Sequence, residues 1–486
     1  MFRSLREPLT RYRIHPARRA NCSHRRNGHG CARVPRFFRH KHGRSATMLS
    51  RRTLIGSTAV LAAGCSMSRL PFSVPGLAKK AELTWVSPSN QLGLNLPWGV
   101  SGEELLHRAL VALEEDTENP YGPAQSGYNI TLRHLAPTDD GQTKDEFAAQ
   151  IRELNADLVT VGPGGAVALG ERGVLLPLEQ FSNIDGGETY RAYFPSLLEQ
   201  FSEQGALYAL PVDAGPLMLY YDSDYFELEQ VPSVDSTWDW NDLVENAKRL
   251  TRRRDDGTLL RWGLAPHAYG IWWALWQNEA EVVDLDTLQC RLQEPAATQA
   301  LQFFSDLIHT HRVTPPLHRE LGDLFLGSVG SPPVGIPPAM VYSIPPLGPQ
   351  SRHYHLAELP RGKTQSVPVN GNIGIAITAQ TERAETAYLA LKGLVDIMQQ
   401  FVIVPAGREA AANLGEIRSD LHPEEIEAIQ RSLEAGRGLP WHTLAAMHAM
   451  DTAVGDLVRG DDVATVVNHA CSLAREYQQT GGQTRE

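Results

Sequence analysis

Apolar residues recur along this chain with two different periods, and the alternation between those periods lays out an α/β protein. Residues 81–87 (AELTWVS) form a short, strand-like run. Leu105, Leu106, Ala109, Leu110 and Leu113 then fall at the three- and four-residue spacing of one helix face over 103–116. Residues 128–135 (YNITLRHL) alternate and predict a second strand, Phe147, Ile151 and Leu154 mark the next helix, and 157–161 predicts a third strand. A strand–helix–strand–helix–strand rhythm predicts a parallel sheet with crossover helices.

The later pattern is more helical. Leu243, Val244, Ala247 and Leu250 make one stripe, and Leu301, Phe304 and Leu307 another. Residues 312–350 are rich in Pro and Gly and poorly periodic, so the reading there is irregular structure. Residues 371–378 (GNIGIAIT) predict a strand, and helices are predicted over 382–399, 423–434, 441–459 and 461–478. There is no internal repeat.

Composition adds the class. The chain has 486 residues, enough for two domains, with 42% hydrophobic residues and a mean hydropathy of -0.28, as in a globular protein of the aqueous phase. Charge is distributed unevenly: the net -11 combines +12 over residues 1–47, +2 from Arg51 and Arg52, and -25 from Cys65 onward. So acidic a body repels phosphates, which argues against nucleic acid as a partner.

The basic head ends at an export-like segment. Arg51-Arg52 precede a short apolar stretch, Leu54 to Ala63, which runs into Leu61-Ala62-Ala63-Gly64-Cys65. A stretch of about ten residues is too short to span a bilayer and suits a signal peptide. Small residues before a thiol resemble a bacterial lipoprotein signal, in which Cys65 takes the lipid. Ser50-Arg51-Arg52-Thr53-Leu54-Ile55 resembles the twin-arginine export motif. On this reading 48–64 is the signal and 65–80 a tether, while 1–47 is a disordered upstream extension foreign to the working protein. Cys22, His24, His29 and Cys31 have zinc-like spacing in that extension, but the Arg and Gly around them offer no core, and no metal site is assigned. Cys290 and Cys471 show no CxxC pairing and read as isolated buried thiols, a disulfide between them remaining open.

A resemblance covers 81–480. The segment LYALPVDAGPLMLYYDSDYF at 207–226 looks like the one in family 1 extracellular solute-binding proteins, the maltodextrin-binding type, where the chain crosses between lobes. Trp238-Asp239-Trp240-Asn241-Asp242-Leu243, Trp262-Gly263-Leu264, Pro338-Ala339-Met340, Glu358-Leu359-Pro360-Arg361-Gly362, Val369–Thr378 and Gly460-Asp461-Asp462 follow in the family's order. The Pro-rich 325–346 stretch and a long loop over 87–102 depart from it.

The resemblance implies an α/β, two-lobed periplasmic-binding-protein fold (type II, the Venus-flytrap form) with lobes joined by crossing hinge strands. It would place 81–211 with 340–370 in the first lobe and 212–339 with 371–486 in the second, Pro338–Met340 returning to the first. It further implies an exported monomer at the cell envelope, lipid-anchored at Cys65, that captures a mono- or oligosaccharide and hands it to ABC-transporter permease subunits. No enzyme activity and no cofactor are expected.

Candidate ligand-binding residues are Trp98, Asp213, Trp272, Trp273, Tyr342, Asn370, Asn372 and Arg408. Aromatic faces stack on the C–H faces of sugar rings, while amides and carboxylates hydrogen-bond hydroxyls. Of the tryptophans in YGIWWALWQN, Trp272 and Trp276 share a helix face and Trp273 does not, so one face is core. Gly162-Pro163-Gly164-Gly165 lacks the Lys-Ser/Thr of a phosphate loop and reads as a cleft-lining loop or a plain turn. Rival readings stay open: a ferric-ion binder using Tyr220-Tyr221, a glycan-capturing lipoprotein without a transporter, and a carbohydrate-active enzyme with paired carboxylates.

Overall fold

The structure, a computed structural model, describes residues 80–88, 102–135, 144–265, 270–315, 338–343, 354–441 and 443–480. All of them lie in the unit Phe72–Glu486. Arg51, Arg52, Cys65 and Trp98 fall outside the described residues, as do the expected signal, nearly all of the tether and the upstream extension.

Two five-stranded sheets form the cores of two lobes. The first runs Tyr128–Leu135, Ala81–Pro88, Leu158–Val161, Gly374–Ile377, Leu210–Pro211. Its first three strands are parallel, as their spacing predicts, and Gly374–Ile377 joins them antiparallel. The second sheet runs Tyr354–Ala357, Met218–Asp222, Pro338–Ser343, Leu259–Ala265, Arg252–Arg253. A small third sheet of Gly436–Gly438, Val367–Asn370 and Gly215–Pro216 connects them.

Helices cover the sheets where the periodicity places them. Helix Gly102–Glu115 buries Leu105, Leu106, Ala109 and Leu113, and packs on helix Ala384–Met398. Helix Trp240–Leu250 starts at a capping box, in which Asp239 accepts from the Asp242 backbone N–H and Asp242 accepts from the Asp239 backbone N–H; it buries Leu243, Ala247 and Leu250. Helices Pro423–Glu434, Leu444–Arg459 and Val463–Thr480 match their predicted ranges closely. Among the described residues no helix is long and apolar enough to cross a membrane.

Three expectations change. Pro338–Ser343 does not return to the first lobe; it lies at the centre of the second sheet, parallel to Leu259–Ala265 and antiparallel to Met218–Asp222. The 340–370 stretch therefore supplies strands to the second lobe and to the connecting sheet, whereas Gly374–Ile377 belongs to the first. The cause is burial on both faces: Ala339, Met340 and Tyr342 are all buried, a pattern that suits a central strand. Lastly, Cys290 and Cys471 are not isolated thiols but a disulfide with a Cα–Cα distance of 5.3 Å, tying helix Val463–Thr480 to the 283–290 hairpin.

Candidate functional site

The chain passes between lobes at three places, and the side chain of Asp213 ties the first to the second. Pro211, Gly215 and Pro216 break the 210–222 run into pieces that belong to the first sheet, the connecting sheet and the second sheet in turn. Within that passage the Val212 N–H donates to Ile373 O (2.8 Å) and the Ala214 N–H to Val404 O (2.8 Å), while Val212 O accepts from Ala406 (3.1 Å). Asp213 sits in the middle, fully buried. Its Oδ1 accepts from the backbone N–H of Asn372 (3.0 Å) and of Ile373 (2.8 Å), and its Oδ2 from Asn372 Nδ2 (2.9 Å).

That contact continues as a chain of side chains. Asn372 Oδ1 accepts from Asn370 Nδ2, and Asn370 Oδ1 accepts from Trp441 Nε1 at 2.7 Å. Both ends have fixed polarity: indole can only donate and a carboxylate can only accept, so each amide has one orientation that completes the relay. The relay ties the first passage, at Asp213, to the second, at Asn370 and Asn372, and ends on Trp441, which follows strand Gly436–Gly438 of the connecting sheet. The turn between the two asparagines is tight: a Cβ on Gly371 would stand 3.1 Å from the Phe201 ring, and the Gly371 N–H donates to Gln200 Oε1 (3.2 Å).

Gly162-Pro163-Gly164-Gly165 starts helix Pro163–Glu171, directly after the carboxyl end of strand Leu158–Val161. A Cβ on Gly162 would touch Asn372 O at 3.5 Å, and one on Gly164 would touch Trp441 O at 3.6 Å. This glycine-rich turn therefore lies against the relay. In open α/β sheets solutes sit outside the carboxyl ends of the strands, which is where these pieces meet.

The tryptophan cluster is placed differently. Trp272, Trp273 and Trp276 are all buried in the second lobe. Trp272 packs on Trp276 (5.2 Å between ring centroids), and the Arg437 guanidinium covers Trp276 at 4.5 Å. Trp273 lies 5.1 Å from the Tyr342 ring near the carboxyl end of strand Pro338–Ser343. Trp273 Nε1 and the Tyr342 hydroxyl are buried with no hydrogen-bond partner among the described residues, and burial raises the Tyr342 hydroxyl pKa well above its ordinary value. Arg408 acts as a strut: it donates to Tyr193 O (3.1 Å), covers Phe194 at 4.5 Å and pairs with Glu434.

The structure thus unites Asp213, Asn370 and Asn372, pairs Trp273 with Tyr342, and leaves Trp272 and Arg408 apart from both groups. Trp441 was missed because it reads as the first residue of a helix; the preceding Leu439-Pro440 is the signal that the helix starts later, at Leu444. Tyr220 and Tyr221 do not converge as a metal pair, since successive strand residues face opposite sides and Tyr221 packs tilted against Phe226 (4.7 Å) and lies against His355 (5.5 Å).

Residues 120–316 match the profile of a family described as bacterial extracellular solute-binding protein. That stretch is similar to solute-binding-protein sequence. Solved structures agree on the fold. A cyclo/maltodextrin-binding protein complexed with maltotetraose superposes with a TM-score of 0.61 at 16% identity, over 84% of this chain and 100% of that one. An ABC substrate-binding protein from Listeria monocytogenes in complex with cycloalternan gives 0.58 at 16% identity, over 83% and 100%. UgpB from Mycobacterium tuberculosis in complex with glycerophosphocholine gives 0.56 at 16% identity, over 84% and 100%. The architecture is the two-lobed one of periplasmic binding proteins, and it carries both sugar and non-sugar ligands among these neighbours.

Proposed function

We propose that this chain is an exported, lipid-anchored solute-binding protein that captures a carbohydrate between its lobes and delivers it to an ABC-transporter permease. The observation that carries the reading is the pair Trp273 and Tyr342. Two adjacent buried rings each hold a donor without a partner among the described residues, beside the carboxyl ends of the second lobe's parallel strands. A buried polar group left unpaired costs roughly 1–3 kcal/mol, so such groups need a partner from outside the chain or an ordered water. A ring face next to hydroxyl and N–H donors suits a sugar, which presents C–H faces and hydroxyls together. Lobes joined by three passages let a solute that touches both favour the closed state.

The Cys290–Cys471 bond supports the exported location, because such bonds persist in oxidising compartments. Lipid at Cys65 and export through Arg51-Arg52 rest on the sequence motif, and permease delivery on the fold.

A thermal-shift screen with mono- and oligosaccharides, glycerophosphocholine and ferric ion tests this reading. A ligand that binds only the folded state raises the melting temperature. A shift with sugar alone is the expected result, and a shift with another solute but no sugar refutes the carbohydrate claim. Labelled palmitate incorporated in a bacterial host, and lost in Cys65→Ser, tests the anchor.

A further inference from the structure

We infer that the outer corner of the second lobe, around strand Arg252–Arg253, is a docking surface for an anionic phospholipid bilayer. Its place in the cell rests on the proposed anchoring at Cys65, and its chemistry on three features of the corner itself. Strand Leu259–Ala265 starts there and runs toward the passages: its far end lies level with Ser343 and Met218, next to Gly215–Pro216. The corner is therefore the end of the lobe remote from the interlobe site.

Local charge is reversed there. Six of the 30 Lys and Arg residues after Cys65 fall within 248–261, against two acids, Asp255 and Asp256, a net of +4 in a body of -25. Helix Trp240–Leu250 ends on Lys248 and Arg249, and Arg253 donates to Arg312 O (3.4 Å), which brings a further cation to the corner. Glu229 is spent on Arg252 and Arg261, and Asp256 accepts from the Thr258 N–H (2.8 Å) within its own turn. Lys248, Arg253, Arg254 and Arg312 are exposed and have no carboxylate partner among the described residues. Apolar side chains protrude beside them. Leu228, next to Glu229, is 69% exposed, the most of any large apolar residue described, and Leu260, next to Arg261, is 45% exposed. Arginines on a short edge strand also guard it against pairing with another chain. That accounts for Arg252 and Arg253, but not for Lys248, Arg254, Arg312 or the two leucines.

Charge complementarity selects the occupant. An anionic leaflet repels a body of -25 and attracts its basic corner, so a body held close to the surface turns that corner inward. Residues 65–80 span at most about 55 Å when fully extended, which keeps an anchored body within reach. Cations around protruding leucines match a layer of phosphate headgroups over hydrocarbon. A free phosphate would use the cations and leave the leucines in water. Contact at this corner holds the second lobe by the end remote from the passages and leaves the interlobe ends of its strands clear.

The test mixes the full chain carrying Cys65→Ser, to which no lipid can be attached, with vesicles of about one part phosphatidylglycerol to two of phosphatidylcholine. Hydroxyl-radical footprinting by mass spectrometry reads Leu228 and Leu260. Leu285, exposed ahead of helix Pro295–His309 while Arg312 follows that helix, is the internal control. Oxidation of Leu228 and Leu260 should fall at least about three-fold with Leu285 unchanged. Salt near 1 M, where screening acts within about 3 Å, should restore most of it. Residues 1–47, at +12, also seek anionic vesicles, so recruitment alone decides nothing. Arg253→Glu with Arg254→Glu keeps that segment and should lose the protection while keeping the melting temperature. Unchanged oxidation of the wild-type leucines overturns the inference, as does equal protection by pure phosphatidylcholine or protection that survives the double substitution. Protection by a delipidated envelope extract but not by vesicles assigns the surface to an acidic protein and also overturns it. Palmitate labelling decides the anchor separately: protection without palmitate keeps this surface and refutes the anchor, and palmitate without protection does the reverse. The wild-type comparison needs no substitution at the corner, so a double variant that fails to fold does not remove the test.

Discussion

The Lys392 ammonium lies 3.2 Å from the Asp185 carboxylate inside the first lobe, and the hydroxyls of Tyr388 (2.8 Å) and Thr189 (2.5 Å) donate to the same oxygen. Burial alone would raise the Asp185 pKa, but these three donors and the nearby positive charge hold it at about 2 against an ordinary 3.8. A carboxyl depressed in the folded state contributes stability that is present above its unfolded pKa and is lost as pH falls through the folded one. Urea denaturation between pH 5 and pH 2 should therefore show a loss of about 2 kcal/mol from this group. Asp185→Asn should lack that component and should start about 1–2 kcal/mol less stable, since the Lys392 ammonium loses its carboxylate but keeps the Tyr121 ring at 4.5 Å. Equal acid sensitivity in the two proteins would count against the pairing.

Cys290 and Cys471 are 181 residues apart and joined. Non-reducing peptide mapping of protein from the cell envelope should recover one cross-linked pair carrying both cysteines. Replacing both by Ser should cost about 2–4 kcal/mol. The loss should appear first as fraying of helix Val463–Thr480, whose Gln478 also donates to Thr287 O (2.7 Å). Hydrogen exchange along that helix measures it.

Two glycines should respond oppositely to alanine. A Cβ on Gly374 would stand 2.6 Å from the Phe201 ring and 3.1 Å from the Ala209 Cβ, in a strand paired on both sides. Gly374→Ala should lose about 1–3 kcal/mol by overpacking. Gly164→Ala meets an ordinary 3.6 Å contact in the first turn of a helix, and should leave the melting temperature unchanged or raise it slightly. A melting-temperature comparison of the two variants decides it.

What the sequence made legible follows from the range of each signal. Helices such as Ala384–Met398 and Pro423–Glu434 were readable because a 3.6-residue period is local. The parallel start of the first sheet was readable because its crossovers are regular. Sheet membership of Pro338–Ser343 and Gly374–Ile377 was not, since a buried strand reads as apolar whichever sheet takes it. Asp213, Asn370 and Asn372 were picked out as polar residues at the passages, yet their bonds to one another span up to 159 residues and leave no trace in spacing. The same holds for the disulfide. Trp441 was hidden because a tryptophan at a helix start reads as core.

The Asp213–Asn372 contact allows a stricter test, because its polarity is fixed. In Asp213→Asn, the oxygen that keeps the backbone N–H groups of Asn372 and Ile373 forces the new amide N–H₂ toward the Asn372 N–H₂, donor against donor. A buried clash of this kind should cost about 2–3 kcal/mol. Asn372→Asp alone should cost at least as much, since it sets two carboxylates face to face. Combined, the two substitutions reverse the bond: the new amide at position 213 donates to the new carboxylate at position 372, and that carboxylate still accepts from Asn370. The double variant should therefore be more stable than either single one, with a coupling of at least about 1 kcal/mol in a double-mutant cycle read by urea denaturation. Additive losses would mean that the relay is not a connected unit.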